Sequence, residues 1–192
     1  MTGRKESIRY KRNHFSTRLP QDYLYSPTHY WLAQDGEEGV WKVGLTGFAT
    51  RMLGEIVEFE FEKKPGTPAS AGEVLGWIEG FKAVSDIFCV AEGEFQGSNS
   101  KAAEDCEIIC KSSYDEGWLY KVRGQPDERV TAVDEYIKHL DQAIDRMLDE
   151  PWKNAALDTS GDTKPGGEAL PGGSILDGDD SGLGPDDGKE SS

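Results

Sequence analysis

The stretch that decides the fold is residues 77–88, Trp77-Ile78-Glu79-Gly80-Phe81-Lys82-Ala83-Val84-Ser85-Asp86-Ile87-Phe88. Two runs of β-prone apolar residues, Val74–Ile78 and Val84–Phe88, flank a short turn that contains Gly80. Two such runs a few residues apart predict a β-hairpin. The hairpin places Lys82 at or beside its tip, with its amine in water. Most exposed lysines only solvate a surface, so the rest of the chain must decide whether Lys82 has a function.

Short segments with apolar and polar residues in alternation surround this hairpin. They are Val40–Leu45, Glu55–Glu62 and Trp118–Val122, and Tyr23–Leu32 is a further predicted strand with Pro27 at its start or at an edge. Many short strands, with turns about every eight to twelve residues, predict a small β-sandwich or barrel. Thr46 and Gly54 are typical cap residues, so they predict one short helical turn between two of these strands.

The apolar period changes near the C-terminal end of the β-rich region. Apolar residues then recur at steps of three, four and seven, namely Val130, Val133, Ile137, Leu140, Ile144 and Met147. This spacing predicts an amphipathic helix over residues 126–150, with Pro126 and Asp127 at its start and Pro151 at its end. We expect its apolar stripe to pack on the β domain, and a coiled-coil dimer is the weaker alternative.

These patterns divide the chain into four parts. Residues 1–20 are basic and show little periodicity, which indicates a solvent-exposed arm whose end Phe15 and Leu19 pin to the domain. Residues 21–125 form the β domain and residues 126–150 the helix. Residues 151–192 are rich in Gly and Asp, and this composition predicts a disordered acidic tail.

The charge balance excludes some classes of function. The 192 residues carry 36 acids against 21 bases, a net charge of −15, and 36% of them are hydrophobic. Nucleic-acid binding needs a basic face, so we expect no nucleic-acid partner. The excess of acids favours steering toward basic partner surfaces.

Cysteine content and hydropathy bear on the compartment. The chain has three cysteines, Cys89, Cys106 and Cys110, and an odd number without a framework is typical of a reducing compartment. The three also lack the second ligand pair of a zinc site, so we expect ordinary thiols and no metal. No apolar run reaches the length of a membrane span, and no signal-peptide core lies near the N-terminus. We therefore expect a cytoplasmic protein without a membrane partner.

The hairpin resembles the lipoylation hairpin of the glycine cleavage system H protein, usually written V-E-S-V-K-A-x-S-D-x. Five residues match this pattern: Glu79, Lys82, Ala83, Ser85 and Asp86. Biotin carriers use a related hairpin, but with Met on both sides of the lysine. Here the neighbours are Phe81 and Ala83, which favours lipoyl over biotin.

Four further motifs of the family occur in the same order along the chain. Tyr25–Trp31 resembles Y-x-P/x-x-H-E-W, and Val43–Thr46 resembles V-G-I-T. Leu53–Val57 resembles L-G-D/E-I-V, and Tyr114–Val122 resembles Y-x-x-G-W-L-x-K-I. The resemblance covers about 100 residues, from Tyr25 to Val122. It excludes the N-terminal arm and the tail.

The resemblance implies a fold and a function. The fold is a lipoyl-domain-like barrel-sandwich hybrid, mainly β, with a C-terminal helix and a disordered acidic tail. By this resemblance Lys82 carries covalent lipoic acid, Glu79 and Ala83 belong to the same cofactor-binding motif, and His29 lines the cleft of the arm. The protein is then a non-catalytic carrier that shuttles the aminomethyl group of glycine between glycine decarboxylase, aminomethyltransferase and dihydrolipoamide dehydrogenase, after a lipoylating enzyme has modified it.

Two departures keep other readings open. The family usually has Glu where Tyr30 stands, and that acid helps hold the amine of the loaded arm in a surface cleft. The family's histidine after G-I-T is Phe48 here, so the cleft is expected to be more aromatic and less acidic. One alternative is an H-like carrier for another pathway, such as sulfur-compound oxidation or lipoyl relay. Another is an unlipoylated interaction module.

Overall fold

A computed structural model describes residues 6–149 of the chain. Within this range the chain is mainly β, with short helices between strands and a long helix at the end. The elements are β1 (Ser7–Arg12), β2 (Phe15–Pro20), β3 (Leu24–Tyr25), β4 (Tyr30–Gln34), β5 (Val40–Leu45), α1 (Gly47–Leu53), β6 (Ile56–Phe61), β7 (Thr67–Ala69), β8 (Val74–Gly80), β9 (Val84–Phe88), β10 (Ala91–Ser98), α2 (Ser100–Glu104), α3 (Glu107–Lys111), β11 (Trp118–Pro126), β12 (Thr131–Ala132) and α4 (Val133–Asp149).

Three antiparallel sheets form within the described range. Seven strands pair in the order β12-β3-β4-β5-β11-β10-β7, three pair in the order β6-β8-β9, and β1 pairs with β2. The main core joins side chains of the first two sheets, including Val43 and Tyr120 of the larger and Ile78 and Ile87 of the smaller. This architecture, with its C-terminal helix, confirms the predicted fold class. None of the described helices has the length and apolar character that a membrane crossing requires.

The predicted lysine hairpin is confirmed as β8 and β9. The two strands pair in antiparallel register, with Glu79 opposite Val84 and Ile78 opposite Ser85. Three residues, 81 to 83, connect them. Ile78 and Ile87 are buried in the core, so the two strands are anchored in the domain while the turn residues remain exposed.

The predicted short helix is confirmed as α1. The hydroxyl oxygen of Thr46 accepts a hydrogen bond from the Ala49 amide at 3.4 Å, and this satisfies one free donor of the first turn. Gly54 ends the helix with a φ of 82°, a conformation that favours glycine. The helix therefore begins and ends at the residues that the sequence predicts.

The prediction of one strand over Tyr23–Leu32 is wrong. A turn at residues 26–29 separates β3 from β4, closed by a hydrogen bond of 2.9 Å from the His29 amide to the Ser26 carbonyl. His29 has a φ of 68°, and the hydroxyls of Ser26 and Thr28 lie 2.7 Å apart. Pro27 lies inside this turn because it has no amide proton to donate to a strand.

The prediction of a solvent-exposed N-terminal arm is wrong for residues 7–20. β1 and β2 form a hairpin whose residues Tyr10, Phe15 and Leu19 are buried. Because apolar residues alternate with basic ones here, one face packs on the domain while the charges remain in solvent. The Arg12 guanidinium also forms ion pairs with Asp141 and Asp145 of α4, and the Tyr10 hydroxyl donates to Asp141 at 2.7 Å.

The C-terminal helix begins later than predicted, at Val133 rather than near Asp127. Thr131 and Ala132 first pair with β3, and the Asp127 carboxylate accepts from the Arg129 amide at 2.8 Å in a turn. Asp127 thus caps a turn and not the helix. The buried stripe of α4, Val133, Tyr136, Leu140 and Ile144, packs into an aromatic cluster with Tyr10, Phe15, Tyr25, Trp31 and Phe48. Pro151 and the predicted acidic tail lie outside the described residues.

The packed N-terminal hairpin yields a stability prediction. Leu19→Ala should lower the free energy of unfolding by about 2–4 kcal/mol, because it leaves a cavity where the fully buried Leu19 side chain of β2 packs. The matched control is Arg18→Ala, at an exposed neighbour on the same strand, with an expected change below about 0.5 kcal/mol. Urea unfolding of the full chain measures both. Equal, negligible effects would mean that the segment is a solvated arm after all.

Candidate functional site

The turn between β8 and β9 presents Lys82 at the surface. Phe81, Lys82 and Ala83 are all exposed, and the two strands below them are fixed by buried residues. Glu79 is also exposed and lies on β8 opposite Val84. The structure thus brings together three of the predicted site residues, Glu79, Lys82 and Ala83, at one hairpin tip.

Backbone hydrogen bonds hold this tip against a separate element. The Phe81 amide donates to the Glu55 carbonyl at 2.8 Å, and the Lys82 amide donates to the Leu53 carbonyl at 2.9 Å. Within the turn, the Gly80 amide donates to the Ala83 carbonyl at 2.9 Å. The base of the Lys82 side chain is therefore fixed by the segment that leaves α1, although the residue lies in an exposed turn.

Two glycines permit this close approach. A Cβ at Gly80 would lie 2.3 Å from the Leu53 carbonyl oxygen, which is too close for any side chain. A Cβ at Gly54 would lie 3.0 Å from Cγ of Lys82 and 3.4 Å from its Cδ. The aliphatic stem of Lys82 therefore crosses over Gly54, along the C-terminal end of α1.

A cavity of about 590 Å³ opens beside Lys82. This volume is in the range of pockets that bury small organic ligands. Its walls come from β2, α1, the Gly54–Glu55 segment, α3 and the loop after α3. The lining residues are Phe15, Ser16, Thr17, Gly47, Thr50, Arg51, Gly54, Glu55, Lys82, Glu107, Cys110, Lys111, Ser113 and Tyr114.

The charges of this cavity are nearly balanced. Arg51 and Lys111 contribute positive charge, while Glu55 and Glu107 contribute negative charge. Lys111 is ion-paired with Glu107 one helical turn away. Cys110 belongs to the same helix, α3. Burial raises the pKa of its thiol above the ordinary value, so the sulfur is protonated at neutral pH. The cavity suits a ligand with an apolar body and a small polar or charged end.

His29 lies elsewhere and is not among the residues that line this cavity. Its Nδ1 is 2.9 Å from the Tyr136 hydroxyl, and its ring packs on Phe48 with centroids 4.5 Å apart. Burial, with smaller contributions from His139 and Arg146, lowers the pKa of His29 to about 4. The imidazole is therefore neutral at pH 7, and its surroundings are those of a packed side chain.

Tyr30 and Phe48, which the sequence places in the cleft, are both buried. The Tyr30 hydroxyl accepts a hydrogen bond of 3.2 Å from the Phe88 amide, and burial raises the pKa of Tyr30 to about 12. Phe48 packs edge-on against Phe15, with centroids 5.5 Å apart. Tyr30 thus joins the large sheet to the base of the lysine hairpin, and neither ring lines the cavity beside Lys82.

The cysteines form no disulfide in the described chain, since Cys89, Cys106 and Cys110 are all free thiols. Cys89 is buried and its thiol donates to the Ala91 carbonyl at 3.1 Å. Across residues 6–149, no cluster of His, Cys, Asp and Glu has the arrangement of a metal site.

Sequence reasoning missed most of the cavity wall. Ser16 and Thr17 belong to the segment interpreted as an arm, and Arg51 and Glu107 lie outside the quoted motifs. Tyr114 begins the motif Tyr114–Val122, but that motif does not by itself point to Lys82. The one available signal was the alternation of Tyr10, Phe15 and Leu19 with polar residues, which predicts a packed strand beside the domain.

Comparisons with known proteins agree with this geometry. A family model described as glycine cleavage H-protein matches residues 23–143. The glycine cleavage system H protein of Rubrobacter xylanophilus is 35% identical over 124 residues, which cover 65% of this chain and 96% of that relative. The H protein of Kocuria rhizophila is 34% identical over 134 residues, covering 69% of this chain and 99% of its own length. The crystal structure of a glycine cleavage system H protein from Mycobacterium marinum superposes with a TM-score of 0.58 at 30% identity, over 64% of this chain and 99% of that one.

The half-buried His29 gives a pH prediction. Its pKa is about 4 in the folded protein and 6.5 in the unfolded chain, so the unfolded state binds more protons between these values. Stability therefore falls as the pH falls through this window. Between about pH 7.5 and pH 5, His29 should cost about 2 kcal/mol of unfolding free energy. Asn tolerates the positive φ at this position and has no group that titrates in this range. The unfolding free energy of His29→Asn, measured with urea, should therefore lack this decrease. The same pH dependence in both proteins would contradict the assignment.

Proposed function

The chain belongs to the glycine cleavage H-protein family, whose members carry lipoate, and from this premise we propose that Lys82 is the residue that carries lipoic acid in this protein. The observation that carries the proposal is the geometry of the hairpin tip. Lys82 is exposed for an attaching enzyme, while its backbone is hydrogen-bonded to the segment that leaves α1. Such a root fixes one end of an arm and leaves the other end free.

The protein is then a carrier and not a catalyst. In the proposed cycle it shuttles the aminomethyl group of glycine from glycine decarboxylase to aminomethyltransferase, and dihydrolipoamide dehydrogenase restores the arm. Lys82 would hold the lipoyl group, whose disulfide would open to give one sulfur for the aminomethyl group and one thiol. The contribution of the chain itself is positional, because a tethered group reaches successive active sites at high effective concentration.

The same proposal includes a resting place for the arm. The stem of Lys82 already runs over Gly54 into the cavity beside α1, whose apolar lining includes Phe15 and Tyr114. A loaded arm ends in a cationic amine, which is stabilised by a nearby anion. Tyr30 supplies no carboxylate, and Glu55 lies in the cavity wall next to the hairpin. We assign to Glu55 the role of holding that amine.

One observation favours a second candidate function. The positions occupied by Tyr30 and Phe48 lie in the hydrophobic core, so the acid and the histidine that the family usually has there are replaced by packing. An H-like lipoyl carrier for another pathway, such as sulfur-compound oxidation or lipoyl relay, accounts for this replacement.

The free cysteines of the described residues suit a reducing compartment, and we propose that either carrier works in the cytoplasm.

Modification of Lys82 is the first prediction of this proposal. Intact mass and peptide mapping of protein from its native host should find one lipoyl adduct, on Lys82, and none in a Lys82→Arg variant. The lipoylated protein should then support glycine–bicarbonate exchange with glycine decarboxylase. Unmodified Lys82, in cells whose other lipoyl proteins are modified, would rule out the carrier. Lipoylation without exchange would favour the other pathway.

The role of Glu55 is tested on the loaded arm. Glu55→Gln should shorten the half-life of the aminomethyl-loaded protein about two- to fivefold, the value of one partly exposed ion pair. Mass spectrometry of the loaded species over time measures this half-life. The matched control is Glu128→Gln, an exposed acid in the turn after β11, which should have no effect. Equal half-lives in all three proteins would remove Glu55 from the role.

A further inference from the structure

The exposed large apolar residues of the described chain gather on one small sheet. They are Val57 (59% exposed), Val74 (49%), Phe81 (85%) and Val84 (65%), and all four lie on β6, β8, β9 or the turn that carries Lys82. Single exposed apolar side chains are common, but a cluster on one face indicates an interaction surface. Phe81 stands next to Lys82 with most of its ring in solvent.

The strand register gives the composition of this face. Glu60, Trp77 and Asp86 form one row across the three strands, and Glu58, Glu79 and Val84 form the next. Residues directly opposite one another point to the same side of a sheet, and Ile78, which alternates with these rows, is buried. The rows therefore point away from the core. We call these two rows, together with Val57 and Phe81, the outer face.

The outer face is acidic as well as apolar. Its two rows contain four acids, Glu58, Glu60, Glu79 and Asp86, and no base, while Lys82 lies at the edge of the face. A second copy of this chain is a poor occupant, because two such faces would repel each other. The complementary partner has an apolar pocket ringed by Lys and Arg side chains.

Geometry identifies which partner needs this surface. An enzyme that acylates Lys82 must bring the lysine amine to its own reacting atoms, and only a four-carbon stem separates that amine from the hairpin backbone. The residues around the tip must therefore contact that enzyme. Enzymes that act on the finished arm take up its far end instead, after the arm has left the cavity and extended away from Phe81 and Val57.

We infer that the outer face is the docking site for the enzyme that acylates Lys82, with the Phe81 ring in an apolar pocket and the acids of the two rows against a basic rim. This inference rests on the proposed function, because it assumes that Lys82 is acylated. It adds the surface that selects the partner and the chemistry of the complementary surface.

The test measures acylation kinetics of the full chain with a purified lipoate–protein ligase, lipoate and ATP, followed by intact mass. Phe81→Ala should lower kcat/KM about tenfold, as expected for a buried aromatic anchor. Glu58→Lys, on the separate strand β6, should lower it several-fold at low salt and less at high salt. The control Glu128→Lys makes the same charge change at an exposed site in the turn after β11 and should stay within about twofold of the parent. Melting temperatures should be unchanged, since Phe81 and Glu58 are exposed.

Each alternative result overturns the inference in a distinguishable way. Rates of Phe81→Ala and Glu58→Lys equal to the parent would mean that the outer face does not dock the ligase. A change in the oligomeric state of these variants by light scattering would assign the face to a second copy. Normal acylation with lost turnover by glycine decarboxylase would assign it to the downstream enzymes. No acylation of the parent chain would instead refute the proposed function itself.

Discussion

Two backbone hydrogen bonds at the tip of the lysine hairpin are the constraint on which the site depends. The Phe81 and Lys82 amides donate to the carbonyls of Glu55 and Leu53, at 2.8 and 2.9 Å. These carbonyls belong to the segment that leaves α1, so an exposed three-residue turn is held by an element outside its own strands. Gly80 makes the approach possible, because any Cβ there would collide with the Leu53 carbonyl. The position of Lys82 is therefore only as well defined as that of α1.

α1 in turn is fixed by residues from distant parts of the chain. The Gly47 amide donates to the Tyr114 hydroxyl at 2.8 Å, and the Tyr136 hydroxyl of α4 donates to the Thr46 hydroxyl at 3.1 Å. Phe15 of the N-terminal hairpin packs on the α1 residue Phe48. A continuous set of contacts thus leads from the C-terminal helix and the N-terminal hairpin, through α1, to the lysine turn. The N-terminal hairpin lies before residue 23, so this support extends beyond the part of the chain that matches the family.

The lysine hairpin separates two surfaces of different charge. On the α1 side, the acids of the cavity are balanced by Arg51 and Lys111. On the outer side of the small sheet, Glu58, Glu60, Glu79 and Asp86 face solvent beside exposed apolar groups. Because Lys82 lies at the boundary, its side chain has a nearly neutral pocket on one side and an acidic, apolar surface on the other. Under the proposed function, in which one protein modifies Lys82 and others use it, the two surfaces can contact different partners.

Elements whose signals are local can be predicted from the amino-acid sequence. Two β-prone apolar runs around a glycine-containing turn predict the lysine hairpin, and the cap residues Thr46 and Gly54 predict α1 with its correct ends. Three features required the tertiary structure: the fold of residues 7–20, the late start of α4 and the packing of His29 against Tyr136 and Phe48. The tertiary structure also forms the cavity, because it brings Thr17, Tyr114 and Lys82 into one wall. These features depend on contacts between residues far apart in the chain, and the period of a segment shows which face is apolar but not which distant surface will cover it.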